Sequence, residues 1–88
     1  MTQREITILN RAGIHARPAS LIVQTASKFD SQIFLEKDGT KINAKSIMGI
    51  ITLGASYKTK LVLTADGPDE DKLADAIVHL FETRFEEE

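Results

Sequence analysis

Residues 32–43, QIFLEKDGTKIN, decide the fold. Asp38-Gly39 is a strong signal for a two-residue β-hairpin turn, and a strand-like run lies on each side of it. The first run carries Ile33 and Leu35 on one side, as the alternation of side chains along a strand requires. The stretch therefore predicts a hairpin formed by strands 32–37 and 40–43.

Two further strands are predicted on either side of this hairpin. Residues 3–9 alternate, with Ile6 and Ile8 on one face, which is typical of a half-buried strand. Residues 60–66 have the apolar run LVL at their centre. Because the four strands lack the long crossovers of a purely parallel sheet, we expect an antiparallel or mixed sheet.

Three segments have patterns typical of helices. The first covers about residues 16–27, and the last covers about residues 70–85 with Asp69 as its cap. Between them, Ser46 is a good N-cap and Gly54 a plausible stop for a short helix. The order βαββαβα predicts an α+β fold in which the helices cover one face of the sheet.

Composition limits the function classes. The 88 residues suffice for one domain, residues 1–88, with one modest core. A net charge of −2 argues against non-specific nucleic-acid binding. The absence of cysteine excludes disulfides and thiolate metal sites, and His15 and His79 have no metal-ligand spacing. No apolar run reaches membrane-spanning length, so we expect a cytosolic domain without membrane insertion.

The stretch GIHARPA, residues 13–19, places His15 at the start of the first long helix. Pro18 fixes this start because proline is tolerated in the first turn of a helix and damaging further in. The residue before a proline is biased away from helical angles, which would make Arg17 the cap, whereas a slightly earlier start makes His15 the cap. Both alternatives place His15 within a turn of the positive helix end.

This location has a chemical consequence for His15. A neutral imidazole can act as a nucleophile, and the positive end of a helix favours the neutral ring. A phosphoryl group on the ring would meet backbone N–H groups and Arg17, whose planar guanidinium suits phosphate. The simpler alternative is a histidine that only caps the helix and points to solvent. From the residues alone, both interpretations stay open.

Three motifs together resemble the HPr family, the histidine-containing phosphocarriers of the bacterial sugar phosphotransferase system. They are GIHARPAS at 13–20, KSIMGIITLGA at 45–55 and GPDEDKLADAI at 67–77. The resemblance spans essentially the whole chain. It implies an open-faced β-sandwich, with a four-stranded antiparallel sheet and three helices on one face.

The resemblance also implies a function. In that family the histidine matching His15 accepts a phosphoryl group on Nδ1 from phospho-enzyme I and passes it to a IIA component, and Arg17 matches the arginine beside the phosphate. We therefore expect a monomeric, cytoplasmic phosphoryl carrier rather than an enzyme. It would carry a covalent phosphoryl group on His15 during transfer, and it would need no cofactor and no metal.

Ser46 has a capping interpretation and a regulatory one. A hydroxyl at a helix N-terminus is often only a cap. In the HPr family, however, the matching serine is phosphorylated in many Gram-positive bacteria by an ATP-dependent HPr kinase/phosphorylase. The phosphoserine form slows transfer to the histidine and can bind a catabolite-control regulator. The stretch NAKSIMGI, residues 43–50, resembles the Gram-positive type, which favours the regulatory interpretation.

The residues after Ser46 also allow two interpretations. In the first, Ile47, Ile50 and Ile51 are core and Met48 is an isolated exposed side chain. In the second, which the family supports, Ile47, Met48 and Ile51 form a docking patch beside His15 for enzyme I, IIA components, the kinase and the regulator. Methionine suits a surface that several partners use, because its side chain is flexible.

Two other functions compete with the phosphocarrier. The segment FLEKDGTKINAKSIMG, residues 34–49, resembles the catabolite-repression paralogue of the family, which lacks the active histidine. His15 argues against that subtype, but a mainly regulatory protein controlled at Ser46 remains the alternative in an organism without complete sugar permeases. A small nucleic-acid or metal-binding domain fits the element count but neither the charge nor the ligand pattern. The sequence pattern indicates no role for Tyr57.

Overall fold

The hairpin forms at the predicted residues in the computed structural model, which describes residues 1–86 of the chain. Strand β2, Gln32–Lys37, pairs antiparallel with β3, Thr40–Asn43. Between them Asp38 and Gly39 both have positive φ, 51° and 81°, as the type I′ turn favoured in hairpins requires. The local turn signal therefore predicted the position of this hairpin correctly.

The remaining elements follow in the predicted order. They are β1 (Thr2–Thr7), α1 (Ala16–Ala26), α2 (Ile47–Leu53), β4 (Lys60–Asp66) and α3 (Glu70–Glu82), with a 3-10 turn at Arg84–Glu86. The sheet order is β1-β4-β2-β3, and every neighbouring pair is antiparallel. The antiparallel alternative is thus confirmed over the mixed one, and the predicted open-faced sandwich of four strands and three helices is confirmed.

One apolar cluster lies between the sheet and the helices. Helix α3 packs on β1 and β4, α1 packs on α2 and α3, and α2 packs on β2 and β3. Ile33 and Leu35 of β2 are buried in this cluster, as the alternation in the sequence predicts. The largest fully buried apolar side chains from the rest of residues 1–86 are Ile8, Ile22, Ile50, Leu61, Leu63, Leu73, Ile77, Phe81 and Phe85.

Asp69 occupies the N-cap position of α3, but its carboxylate makes no cap hydrogen bond. It accepts hydrogen bonds instead from the backbone N–H groups of Asp30 (3.0 Å) and Ser31 (2.9 Å) and from the Ser31 hydroxyl. The Ser31 hydroxyl, with the hydrogen bonds from these backbone groups, lowers the pKa of Asp69. Asp69 therefore does not cap α3 with its side chain as predicted, but joins the turn before α3 to the turn before β2.

Helix α3 ends at Glu82, three residues earlier than predicted from the sequence. The Thr83 hydroxyl donates to the carbonyls of His79 (2.9 Å) and Leu80 (3.2 Å), which competes with a further helical turn. The chain then enters a left-handed turn that buries Phe85 beside Phe81. Phe85 therefore reaches the core as expected, but from outside the helix.

Candidate functional site

His15 is the N-cap of α1, which decides between the two alternatives for the helix start. Its backbone is extended (φ −114°, ψ −165°), and its carbonyl accepts the first helical hydrogen bond, from Ala19 N at 3.0 Å. The imidazole makes no side-chain cap hydrogen bond, and the residue is exposed. The role of a simple side-chain cap therefore does not describe His15.

The first turn of α1 has the features of an anion-binding helix end. Ala16, Arg17 and Pro18 form the turn, and Pro18 has no N–H to contribute. Ala16 and Arg17 thus supply the backbone N–H groups of this first turn, which point towards the N-terminus of the helix. The turn contains no acidic residue, so no carboxylate of its own offsets the positive end of the helix dipole. An added phosphoryl group would be stabilised here.

The loop before His15 follows a fixed path. Asn10 is buried, and its Nδ2 donates to the carbonyl of Gly13 at 2.6 Å, while Gly13 N donates to the Asn10 carbonyl at 3.0 Å. Ile14 N donates to the carbonyl of Ala55 at 3.0 Å. The first two bonds close the turn before His15, and the third joins the loop that carries His15 to the loop that follows α2.

Gly13 is required by this path. Its φ is +73°, and a Cβ at this position would lie 2.9 Å from the carbonyl oxygen of Ala55 and 3.0 Å from Cα of Ser56. Both contacts are to backbone, so they cannot be relieved by a side-chain rotation. Sequence reasoning missed the roles of Asn10 and Ala55, whose only signal was the turn-like composition around Gly13.

Ser46 is the N-cap of α2, as predicted. Its side-chain oxygen accepts a hydrogen bond from Gly49 N at 3.1 Å, and its carbonyl accepts from Ile50 N at 3.1 Å. Gly54 ends the helix in the left-handed conformation, also as predicted. The Lys37 ammonium donates to the Gly54 carbonyl at 3.2 Å, a contact from the hairpin that the sequence did not reveal.

The exposures along α2 separate the two interpretations of its apolar residues. Ile50 is 1% exposed and belongs to the core. Ile47, Met48 and Ile51 are 41%, 69% and 38% exposed, so the interpretation of Ile47 and Ile51 as core residues is wrong. Ile51 lies three and four residues after Met48 and Ile47 on α2, so the three exposed side chains are neighbours on the helix surface and form a candidate patch. The packing of α2 on α1 places this patch on the helix that neighbours His15.

Within residues 1–86, no group of three His, Cys, Asp or Glu side chains is arranged to hold a metal ion. His79 is exposed near the end of α3, on a different helix from His15. In the same part of the chain, none of the helices has the length and apolar character needed to cross a membrane.

A family model described as the PTS HPr component phosphorylation site matches residues 2–83. The chain belongs to the HPr family. It is 51% identical to the phosphocarrier protein HPr of Treponema pallidum, over the full length of both chains.

Solved structures support the same assignment. The crystal structure of HPr from Thermoanaerobacter tengcongensis is 55% identical, with a TM-score of 0.96 over 100% of this chain and 99% of that one. Bacillus subtilis Crh, a catabolite-repression protein described as a domain-swapped, intertwined dimer, is 42% identical, with a TM-score of 0.77 over 96% and 97% of the two chains. HPr proteins are phosphocarriers of the bacterial phosphotransferase system rather than catalysts.

Proposed function

We propose that this chain accepts a phosphoryl group on His15 from phospho-enzyme I and passes it to IIA components of the sugar phosphotransferase system. The observation that carries the proposal is the position of His15, exposed at the N-cap of α1. A nucleophilic side chain there is open to a partner protein, and the product anion lies beside a helix N-terminus.

The transfer is a substitution at phosphorus. The Nδ1 lone pair of His15 attacks the phosphorus, the bond between phosphorus and enzyme I breaks, and its electron pair returns to enzyme I. Transfer to a IIA component is the same step with His15 as the leaving group. The guanidinium of Arg17 and the N–H groups of the first turn stabilise the phosphoryl oxygens by charge-assisted hydrogen bonds. No cofactor or metal takes part.

Acceptance of the phosphoryl group is tested with enzyme I and phosphoenolpyruvate. Intact-mass spectrometry should show one added, acid-labile phosphoryl group per chain. His15→Ala should abolish it, whereas His79→Ala, which removes the second histidine, should leave it unchanged. Labelling that persists in His15→Ala would overturn the assignment of the acceptor.

We further propose that Ser46 is a regulatory phosphorylation site for an HPr kinase/phosphorylase. A phosphate on the Ser46 hydroxyl would sit at the N-terminus of α2, where its charge is tolerated, and directly before Ile47 and Met48 of the docking patch. The phosphate would then slow phosphoryl transfer to His15 because it repels an acidic surface on the partner protein. This inhibition would not require the chain to refold. Treatment with the kinase and ATP should phosphorylate the chain but not Ser46→Ala, and the exposed Ser27→Ala provides the matched control.

The docking patch of Ile47, Met48 and Ile51 is proposed as the surface shared by enzyme I, IIA components, the kinase and a catabolite-control regulator. Met48→Asp places a charge in its most exposed position and should raise the KM for transfer from enzyme I by about tenfold, equivalent to about 1.4 kcal/mol. Thr52→Asp adds the same charge to an exposed position of α2 and should have a smaller effect. An equal rise in KM for the two variants would contradict the proposal that the docking patch contacts enzyme I specifically.

The similarity to Crh favours one alternative, a mainly regulatory protein controlled at Ser46. The retained His15 supports the carrier instead, and efficient transfer from enzyme I to a IIA component would exclude a purely regulatory role. We propose a cytoplasmic monomer. Sedimentation velocity would show whether the chain is monomeric or forms a dimer of the kind described for Crh.

A further inference from the structure

A second polar site lies outside the proposed phosphotransfer machinery. A cavity of about 240 Å³ is lined by Leu9, Arg11, Tyr57 and Arg84. These residues come from three separate segments: the loop between β1 and α1, the loop between α2 and β4, and the turn after α3. Neither His15 nor the docking patch contributes to the lining.

The cavity concentrates positive charge on a chain of net charge −2. Arg11 and Arg84 are both exposed, and the ion pairs found among residues 1–86 involve neither of them. The Lys58 ammonium adds a third cation nearby, 5.4 Å from the centroid of the Tyr57 ring. Neither guanidinium group is therefore within 4.0 Å of a carboxylate of residues 1–86, although Glu86 lies in the same 3-10 turn as Arg84.

The backbone that carries Arg84 is held in an unusual conformation. Arg84, Phe85 and Glu86 all have positive φ, at 55°, 54° and 60°, which costs free energy for residues with a Cβ. The burial of Phe85, whose ring meets Phe81 edge-to-face at 4.9 Å, stabilises this turn. The backbone at Arg84 is therefore anchored to the core through its neighbour Phe85.

The opposite wall is also fixed by hydrogen bonds. Lys58 N donates to the Ile8 carbonyl at 2.8 Å, and Ile8 N donates to the Thr59 carbonyl at 2.9 Å. These bonds hold Tyr57, next to Lys58, against the segment that contains Leu9 and Arg11. The lining residues thus lie on backbone segments whose relative positions the fold determines.

We propose that this cavity, the Arg11–Arg84 pocket, binds the phosphate group of a small phosphomonoester or of inorganic phosphate. Guanidinium groups match phosphate oxygens in geometry and charge, and the Tyr57 hydroxyl is a further donor. Leu9 supplies an apolar wall for a short carbon skeleton. The volume lies below the roughly 300–1,000 Å³ of pockets for drug-sized ligands, which favours a small phosphorylated ligand.

The test is an NMR titration of the ¹⁵N-labelled full chain at low salt with glycerol 3-phosphate, inorganic phosphate and glycerol. Both phosphates should cause saturable shifts at Arg11, Tyr57 and Arg84, and glycerol should cause none. Tighter binding of glycerol 3-phosphate would assign the site to an ester, and equal binding would assign it to the phosphate group alone.

Charge-matched variants separate this site from general attraction and from the His15 region. Arg11→Gln/Arg84→Gln should weaken binding by at least about tenfold, as expected for the loss of charge-assisted hydrogen bonds. Lys28→Gln/Lys72→Gln removes the same charge from exposed positions outside the cavity and should change the affinity less than about twofold.

Three results would overturn the proposal: shifts confined to His15 and its neighbours, equal weakening in the two double variants, or binding that Arg11→Gln/Arg84→Gln leaves intact. The proposal does not depend on transfer from enzyme I, because it is tested by binding alone. Either proposal can therefore fail without the other.

Discussion

Gly13→Ala tests how the fold positions His15. The substitution forces an L-residue to adopt φ +73° and places a Cβ 2.9 Å from the Ala55 carbonyl oxygen. The left-handed conformation costs about 1–2 kcal/mol, and overpacking against rigid backbone adds about 1–3 kcal/mol. We expect the free energy of unfolding to fall by about 2–5 kcal/mol in total.

Gly39→Ala is the matched control for this prediction. Gly39 has nearly the same φ, +81°, but no atom lies within 4 Å of the position its Cβ would take. It should therefore lose only the conformational part, about 1–2 kcal/mol. The difference between the two variants isolates the contact between the His15 loop and the loop after α2.

Urea denaturation followed by circular dichroism measures both free energies, and the rate of transfer from enzyme I reports on His15. Gly13→Ala should be the less stable variant and should slow transfer under conditions where it remains folded. Gly39→Ala, in the β2–β3 turn, should transfer at the parent rate. Equal destabilisation of the two variants, or a parent transfer rate in Gly13→Ala, would refute the argument that this contact sets the position of His15.

Two further predictions concern stability. The amino group of Met1, 2.8 Å from Glu70, lowers the pKa of Glu70 from 4.5 to about 2, with further hydrogen bonds from Thr2 and Gly67. The ionised carboxylate therefore stabilises the fold above pH 4.5, and this contribution is lost as the pH falls towards 2. Between pH 4.5 and 2, the free energy of unfolding should depend less on pH in Glu70→Gln than in the parent. An equal dependence in the two proteins would contradict this role of Glu70. Ile50→Ala, in the core, should lower the free energy of unfolding by about 2–5 kcal/mol, as measured by urea denaturation. Ile47→Ala, on the exposed face of the same helix, should lower it far less. Equal losses would contradict the distinction between core and docking patch on α2.

Elements specified by local signals could be predicted from the sequence. Asp38-Gly39 fixed the hairpin because its two residues adopt positive φ readily, and the bounds of β2, β3 and β4 agree with the structure. Ser46 and Gly54 marked the ends of α2 for similar reasons of capping chemistry. The start of α1 stayed open because Pro18 is compatible with either His15 or Arg17 as the cap.

Features that depend on distant residues could not be predicted. The clamp between Ser31 and Asp69 joins residues 38 positions apart, so Asp69 resembled an ordinary helix cap. The contact between Gly13 and Ala55 joins two loops that only the completed fold brings together. Helical periodicity predicted Phe85 on α3, but α3 ends at Glu82. The apolar pattern is the same whether Phe85 reaches the core from the helix or from the turn that follows it.

The central claim is that His15 carries a phosphoryl group between two partners. The most direct measurement is a two-step transfer, in which the chain is phosphorylated with enzyme I and phosphoenolpyruvate, separated from both, and mixed with a IIA component while the phosphoryl group is followed by mass spectrometry. The group should map to His15 and then leave it at the rate at which it appears on the IIA component. A group that maps elsewhere, or that leaves His15 only by hydrolysis, would contradict the claim.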